Sequence, residues 1–321
     1  VLVNLFKQRG LLPILVALLY VSGAVFFAVV STDSASVSDI FSAHWAVGGL
    51  TAHFDWLIGL SITLLATSTL LTRLRSRDSR TGLGSVDLVM LIYAVLTISQ
   101  GDVLLRPDVL AAQFLIIASF AMVGYSYKQE GVLLNLLHAG MLLGFSSIFV
   151  GQSVLMFLAL YFGLLILRSG NWREWVVPVL GALQVLVFLF LFLIWREDPW
   201  FEFEHVVKSA WVDSFETQPF SSGQWLTVGF VGLSLPSVFG RLNSGSVSDR
   251  NFLLLITGWL AAGVLSAALL GLGWQHAIVL AAFPLSVFIA RLLEEMKRWW
   301  LADLLLLLLL AAPFLSSQWP L

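Results

Sequence analysis

Apolar runs long enough to form helices recur along the whole chain, and they set what it can fold into. A helix needs about 20 residues to cross a hydrocarbon core roughly 30 Å thick, with about 17–25 tolerated. Candidate spans fall at 11–30, 56–72, 86–100, 109–126, 132–150, 153–168, 175–195, 225–240, 251–272, 277–293 and 300–316, eleven in all. Hydrophobic residues make up 59% of the chain and charged residues 11%, with a mean hydropathy of +0.93. Ordinary soluble domains carry about 45–50% and 25% respectively. A chain this apolar cannot hide its surface in one water-facing globule. The pattern predicts an all-α, polytopic transmembrane bundle over 1–321, a single integral membrane domain with the bilayer as solvent. The runs 86–100, 153–168 and 225–240 are short, so they either extend at their ends or are partly re-entrant. If two of them form one hairpin the count falls to nine and the chain ends keep their sides.

The basic residues give the direction. Short loops on the cytoplasmic side of membrane proteins are enriched in Lys and Arg. With the amino end in the cytoplasm, Lys7, Arg9, Arg73, Arg75, Arg77, Arg80, Lys128, Arg168, Arg173, Arg241, Arg250, Arg291, Lys297 and Arg298 lie inside, and only Arg106, Arg196 and Lys208 lie outside; 14 + 3 accounts for all 17. Eleven of the acidic residues fall on the outer side: Asp33, Asp39, Asp55, Asp102, Asp108, Glu197, Asp198, Glu202, Glu204, Asp213 and Glu216. Acidic residues hardly influence insertion, so topology does not account for this bias, and it makes the outer face the expected place for chemistry or cation binding. The first run is 20 residues long without a small-residue cleavage site after it, and reads as a span rather than a cleaved leader. The chain has no cysteine, which excludes disulfides, thiolate metal sites and thiol nucleophiles. Many of its 13 Trp residues sit at span ends, as in an interfacial belt.

Two outer segments hold most of the remaining polarity. In 196–224, Asp198 and Pro199 suit the cap and first position of a helix. Trp200, Phe203, Val207, Ala210, Trp211 and Phe215 then share one face, while Glu202, His205, Ser209, Asp213 and Glu216 share the other. That spacing predicts an interfacial amphipathic helix over 199–215. Glu204 falls on its apolar side. It is either half of an i,i+4 pair with Lys208 or a desolvated carboxyl poised as acid or base. The other segment, 31–55, carries Asp39, His44, His53 and Asp55 with no Lys or Arg. It reads either as a solvated loop with incidental histidines or as a weak site for a divalent cation through His44 and His53. Asp55 stands just before a span, where a carboxylate is costly unless paired or wet.

Inside the spans, Gln113, Gln184 and Asn135 read as hydrogen-bonding glue between helices. His138, three residues after Asn135, is the rarer kind of intramembrane group. Asp87 and Asp303 lie near cytoplasmic ends. Gly140-x-x-x-Gly144 permits close helix approach. Pro236, Pro284 and Pro313 fall inside spans, where each frees a backbone carbonyl. Phosphate-binding Gly-rich loops and serine-nucleophile elbows are absent, as are internal repeats. Nothing indicates a nucleic-acid partner.

The stretch Arg106-Pro107 to Phe114, then Leu133-Leu134-Asn135, Ala139-Gly140, Leu143-Gly144 and Asn171-Trp172-Arg173-Glu174-Trp175 followed by Pro178 and Gly181, resembles a family of uncharacterised multi-pass inner-membrane proteins from Bacteroidetes, a domain of unknown function. That resemblance implies a Gram-negative cytoplasmic membrane and no activity. Over the same stretch, the Gly-rich helix from His138 to Gly144, followed by another apolar run and a basic turn, is similar to the core of GT-C glycosyltransferases. This second resemblance implies a polyprenyl-phosphate-linked substrate and an acidic first outer loop. Asp39 or Asp55 would then activate the acceptor hydroxyl, with Glu204 as a further candidate catalytic group. Arg106 with Arg196 or Lys208 would hold the phosphate, with His205 beside them, and the 199–215 helix would cover the site. Two other readings stand beside the transferase: a non-catalytic membrane subunit of an envelope complex for secretion, motility or assembly, partnered by other membrane proteins, and a lipid or small-molecule transporter.

Overall fold

The computed structural model describes residues 86–99, 107–126, 131–167, 171–195, 222–244, 247–270 and 274–318. Among them it is all-helical. The α-helices are α1 (Val86–Ile98), α2 (Pro107–Tyr125), α3 (Leu133–Phe149), α4 (Met156–Leu167), α5 (Trp172–Trp195), α6 (Ser222–Ser244), α7 (Val247–Leu270), α8 (Trp274–Glu295) and α9 (Trp299–Gln318). A 3-10 turn, Gly151–Leu155, leads into α4. Each apolar run expected from residue 86 onward is therefore a helix. The run at 225–240 does extend at both ends. The run at 153–168 departs from expectation by opening as 3-10 rather than α.

Among the described residues, α5 alone is long and apolar enough to cross a membrane, over Trp172–Phe192. The stretches Val86–Thr97, Val109–Tyr125, Leu133–Phe149, Gly151–Leu167, Trp225–Gly240 and Trp299–Pro313 are apolar but shorter. At 1.5 Å per residue, α1 is only about 20 Å long. The first turn of α7 holds Asp249 and Arg250, and the end of α8 holds Arg291, Glu294 and Glu295.

The core follows from hydrophobicity on all sides of two helices. Residues 280–291 of α8 are buried without interruption, and α1 buries Leu88, Val89 and Leu91 through Leu96. These two helices pack together, and α2, α6, α7 and α9 also lie against α8. Next outward come α3, on α2, and α4, on α7, with α5 outermost and resting mainly on α3.

The closest crossing is a seam of small residues between α3 and α5. A Cβ on Gly140 would fall on the backbone carbonyl of Pro178. A Cβ on Gly181 would fall on the carbonyl of Leu137, and Gly144 faces Ala182 and Val185. Because 140 meets 178 and 144 meets 182, the two helices run parallel. Gly163 meets Leu255 while Gly258 meets Phe162, so α4 and α7 run antiparallel. Ser119 of α2 donates to the carbonyl of Ala139, while Val109 and Ala112 cluster with Val150, so α2 and α3 are antiparallel as well.

Candidate functional site

One group of buried polar side chains lies where α1, α2, α7 and α8 meet. The Tyr93 hydroxyl donates to Gln113 Oε1 at 2.5 Å, with both side chains buried. Gln113 thus does serve as glue between helices. Beside this pair lies Trp259, only 1% exposed. Its ring stacks on Phe120 at 4.2 Å and 12°, and leans on Phe283 at 5.0 Å. Its indole N–H donates to the carbonyl of Leu280 at 3.1 Å.

That last bond has a cause in the sequence. In a regular helix the Leu280 carbonyl would accept from the N–H four residues on. That residue is Pro284, which has no N–H. The indole of Trp259 supplies the missing donor from the neighbouring helix. A carbonyl freed by proline in an apolar setting must be satisfied again by a neighbour.

Tyr93, Gln113, Ile116, Ile117, Trp259, Leu280 and Phe283 line a crevice of about 170 Å³ of space between atoms, too finely divided to admit a water molecule. Its lining carries no charge. The node fixes four helices against one another, and its chemistry is that of a neutral hydrogen-bonded lock.

A second polar cluster lies where the end of α8 meets α6. Ser237 Oγ donates to Glu295 Oε2 at 2.5 Å, and Arg291 is buried one turn earlier on α8. Where α4 leads into α5, the Tyr161 hydroxyl donates to the carbonyl of Trp175 at 2.9 Å and the two rings stack. This contact braces the turn that precedes Pro178.

The site residues expected from the sequence, Asp39, His44, His53, Asp55, Arg106, Arg196, Glu204, His205 and Lys208, all lie outside the described residues. So does the expected 199–215 helix. Among the described residues no group of three or more His, Asp or Glu side chains could hold a metal ion.

Of the other polar residues expected inside spans, Gln184 does not fill the role of glue. The buried side of α5 is Pro178, Gly181 and Val185, and Gln184 falls on the exposed side. His138 is likewise exposed, because the buried side of α3 is Leu136, Ala139, Gly140, Leu143 and Gly144. Asn135 is half-buried. The structure thus promotes Trp259 and Tyr93, neither of which stood out from its sequence neighbours. The readable signal was a mid-helix Trp followed by a helix containing a proline.

No known protein family matches this chain, and no curated protein or solved structure does.

Proposed function

We propose that the chain is a multi-pass protein of the bacterial cytoplasmic membrane, with its amino end in the cytoplasm, and that it transfers a group from a lipid-phosphate-linked donor at the outer face. The observation that carries the membrane reading is the bare side of α5. Val176, Val179, Leu180, Leu183, Val187, Phe188 and Leu191 are all exposed there, with Trp172 and Trp195 at the two ends 71% and 82% exposed. Those tryptophans are 23 residues apart, about 34 Å along a helix, which matches a hydrocarbon core of about 30 Å. An apolar surface of this extent, interrupted only by Gln184 between Trp175 and Trp195, is unfavourable in water. In lipid it is ordinary, and the terminal tryptophans take the headgroup level. The parallel and antiparallel crossings of α2 with α3, α3 with α5 and α4 with α7 are those an alternating thread requires.

The catalytic part of the proposal rests on sequence. Asp39 or Asp55 is the base for the acceptor hydroxyl, and Arg106 with Arg196 or Lys208 holds the donor phosphate. A positioned base contributes about 10²–10⁴-fold to such a step. Asp39→Asn and Asp55→Asn variants, made at wild-type protein levels, are expected to lose transfer by about that factor for whichever residue is the base. Lipid-linked sugar profiles unchanged in both variants and in the double variant would dismiss the transferase.

The same bare side of α5 favours a second reading, a non-catalytic subunit of an envelope complex in which another membrane protein covers α5. Stable co-purification with other membrane proteins through detergent would support it, and isolation as a lone chain would count against it.

A further inference from the structure

The corner joining α3 to α4 holds two polar side chains that no part of the protein satisfies. The chain turns sharply at Val150, which is extended. The Val150 N–H bonds back to the carbonyl of Ser146 at 2.9 Å, and both the N–H and the hydroxyl of Ser153 bond to the carbonyl of Val150. Gly151, Gln152 and Ser153 are all buried in the 3-10 turn that follows. The turn packs on α3, α4 and α7, and Val150 rests on Val109 and Ala112 of α2. Within this closed corner Gln152 is 1% exposed and Ser146 is 0% exposed. Neither Nε2 nor Oε1 of Gln152 has a hydrogen-bond partner, and neither does Oγ of Ser146.

Two features set this pair apart. A buried primary amide with both ends unsatisfied is costly, and folded proteins rarely keep one. Every other buried serine among the described residues (Ser99, Ser119, Ser126, Ser153, Ser234, Ser266 and Ser286) donates to a backbone carbonyl. Ser146 sits in the same kind of helix, with carbonyls one turn back in the chain, and does not use them.

We propose that the α3–α4 corner is a binding site for one neutral hydroxyl oxygen, from a trapped water or from an alcohol, held by the Gln152 amide and the Ser146 hydroxyl. The donor and acceptor inventory selects this class of guest. The amide offers N–H donors and a carbonyl acceptor, and the serine offers one of each. An anion would leave Oε1 unsatisfied and a metal cation would leave Nε2 unsatisfied. A hydroxyl both donates and accepts, so it answers both ends. The site is independent of the transferase reading and of which compartment the corner faces.

The test is thermal unfolding of the purified full chain in lipid nanodiscs, for wild type, Gln152→Met, Ser146→Ala and the double variant. With a guest bound, each single variant lowers Tm by about 1.5–4.5 °C. The double variant then falls by less than the sum, because both side chains hold one molecule. A dry corner gives the opposite sign: replacing an unsatisfied amide by an apolar side chain of similar volume raises Tm, and Ser146→Ala leaves it unchanged or raises it. That result overturns the proposal. If Gln152→Met does not fold, the sign of the Ser146→Ala shift decides alone. Native mass spectrometry separates the two sources. An added mass on wild type that is missing from the variants assigns an alcohol, and a Tm loss with no added mass assigns a water.

Discussion

Alanine in place of Gly140 is expected to lower the stability of the bundle by about 3 kcal/mol or more, the upper end of what overpacking costs. The added methyl would stand on the carbonyl of Pro178. That carbonyl is backbone, so no side-chain rotation relieves the clash, and α3 and α5 must move apart along the whole seam. Separation also breaks the contact of Gly181 with Leu137 and Met141 and of Gly144 with Ala182. In Tm the loss corresponds to about 4–5 °C or more for a chain of this length. Gly232→Ala on α6 is the matched control. A Cβ there meets nothing within 4 Å, so the gain in helix propensity, about 0.5–1 kcal/mol, is the only effect. Thermal melts of the two variants in one detergent should therefore shift in opposite directions. Equal shifts would mean that α3 and α5 do not meet closely along the seam.

Removing the indole N–H of Trp259 is the second large effect. Trp259→Phe keeps an aromatic ring against Phe120 and Phe283 but leaves the Leu280 carbonyl with neither Trp259 nor Pro284 to satisfy it. The expected cost is about 1–3 kcal/mol for the orphaned acceptor, with a further loss for the smaller ring. Adding Pro284→Ala restores a backbone N–H at the position the helix needs. The double variant should recover the part of the loss that belongs to the carbonyl. A cycle of denaturation measurements on the two single variants and the double reads this coupling directly. Additive losses would show that the indole bond does not stand in for the one proline removes.

From residue 86 onward the helix positions were legible because each apolar run is bounded by turn residues or charge, and because proline inside a run only kinks it. The packing was legible in part. The spacing of Gly140 and Gly144 announced a close approach, but its partner could not be read, since Pro178, Gly181 and Ala182 acquire meaning only when α5 lies parallel to α3. Gln113 was readable as glue because a buried amide must pair, whereas Gln184 has the same chemistry on the other side of its helix. Periodicity alone does not say which side of an almost wholly apolar helix faces inward. The lock formed by Trp259 was hidden for a different reason. It joins a gap in one helix to a donor on another, and one-dimensional patterning carries no such pairing. Gln152 escaped notice because it lies in the corner between two runs, where a polar residue looks ordinary until it is found buried.

The central claim, a chain threaded through lipid with its amino end inside the cell, is tested most directly by single-cysteine labelling. The natural chain has no cysteine, so each introduced thiol is the only one. Ser36→Cys in the acidic segment 31–55 and Ser76→Cys in the arginine-rich stretch 73–80 lie on opposite sides of the second expected span. With an impermeant maleimide on cells whose outer membrane has been opened, Ser36→Cys should label at once and Ser76→Cys only after the inner membrane is broken. Simultaneous labelling of both, or labelling of Ser76→Cys alone, would contradict the account.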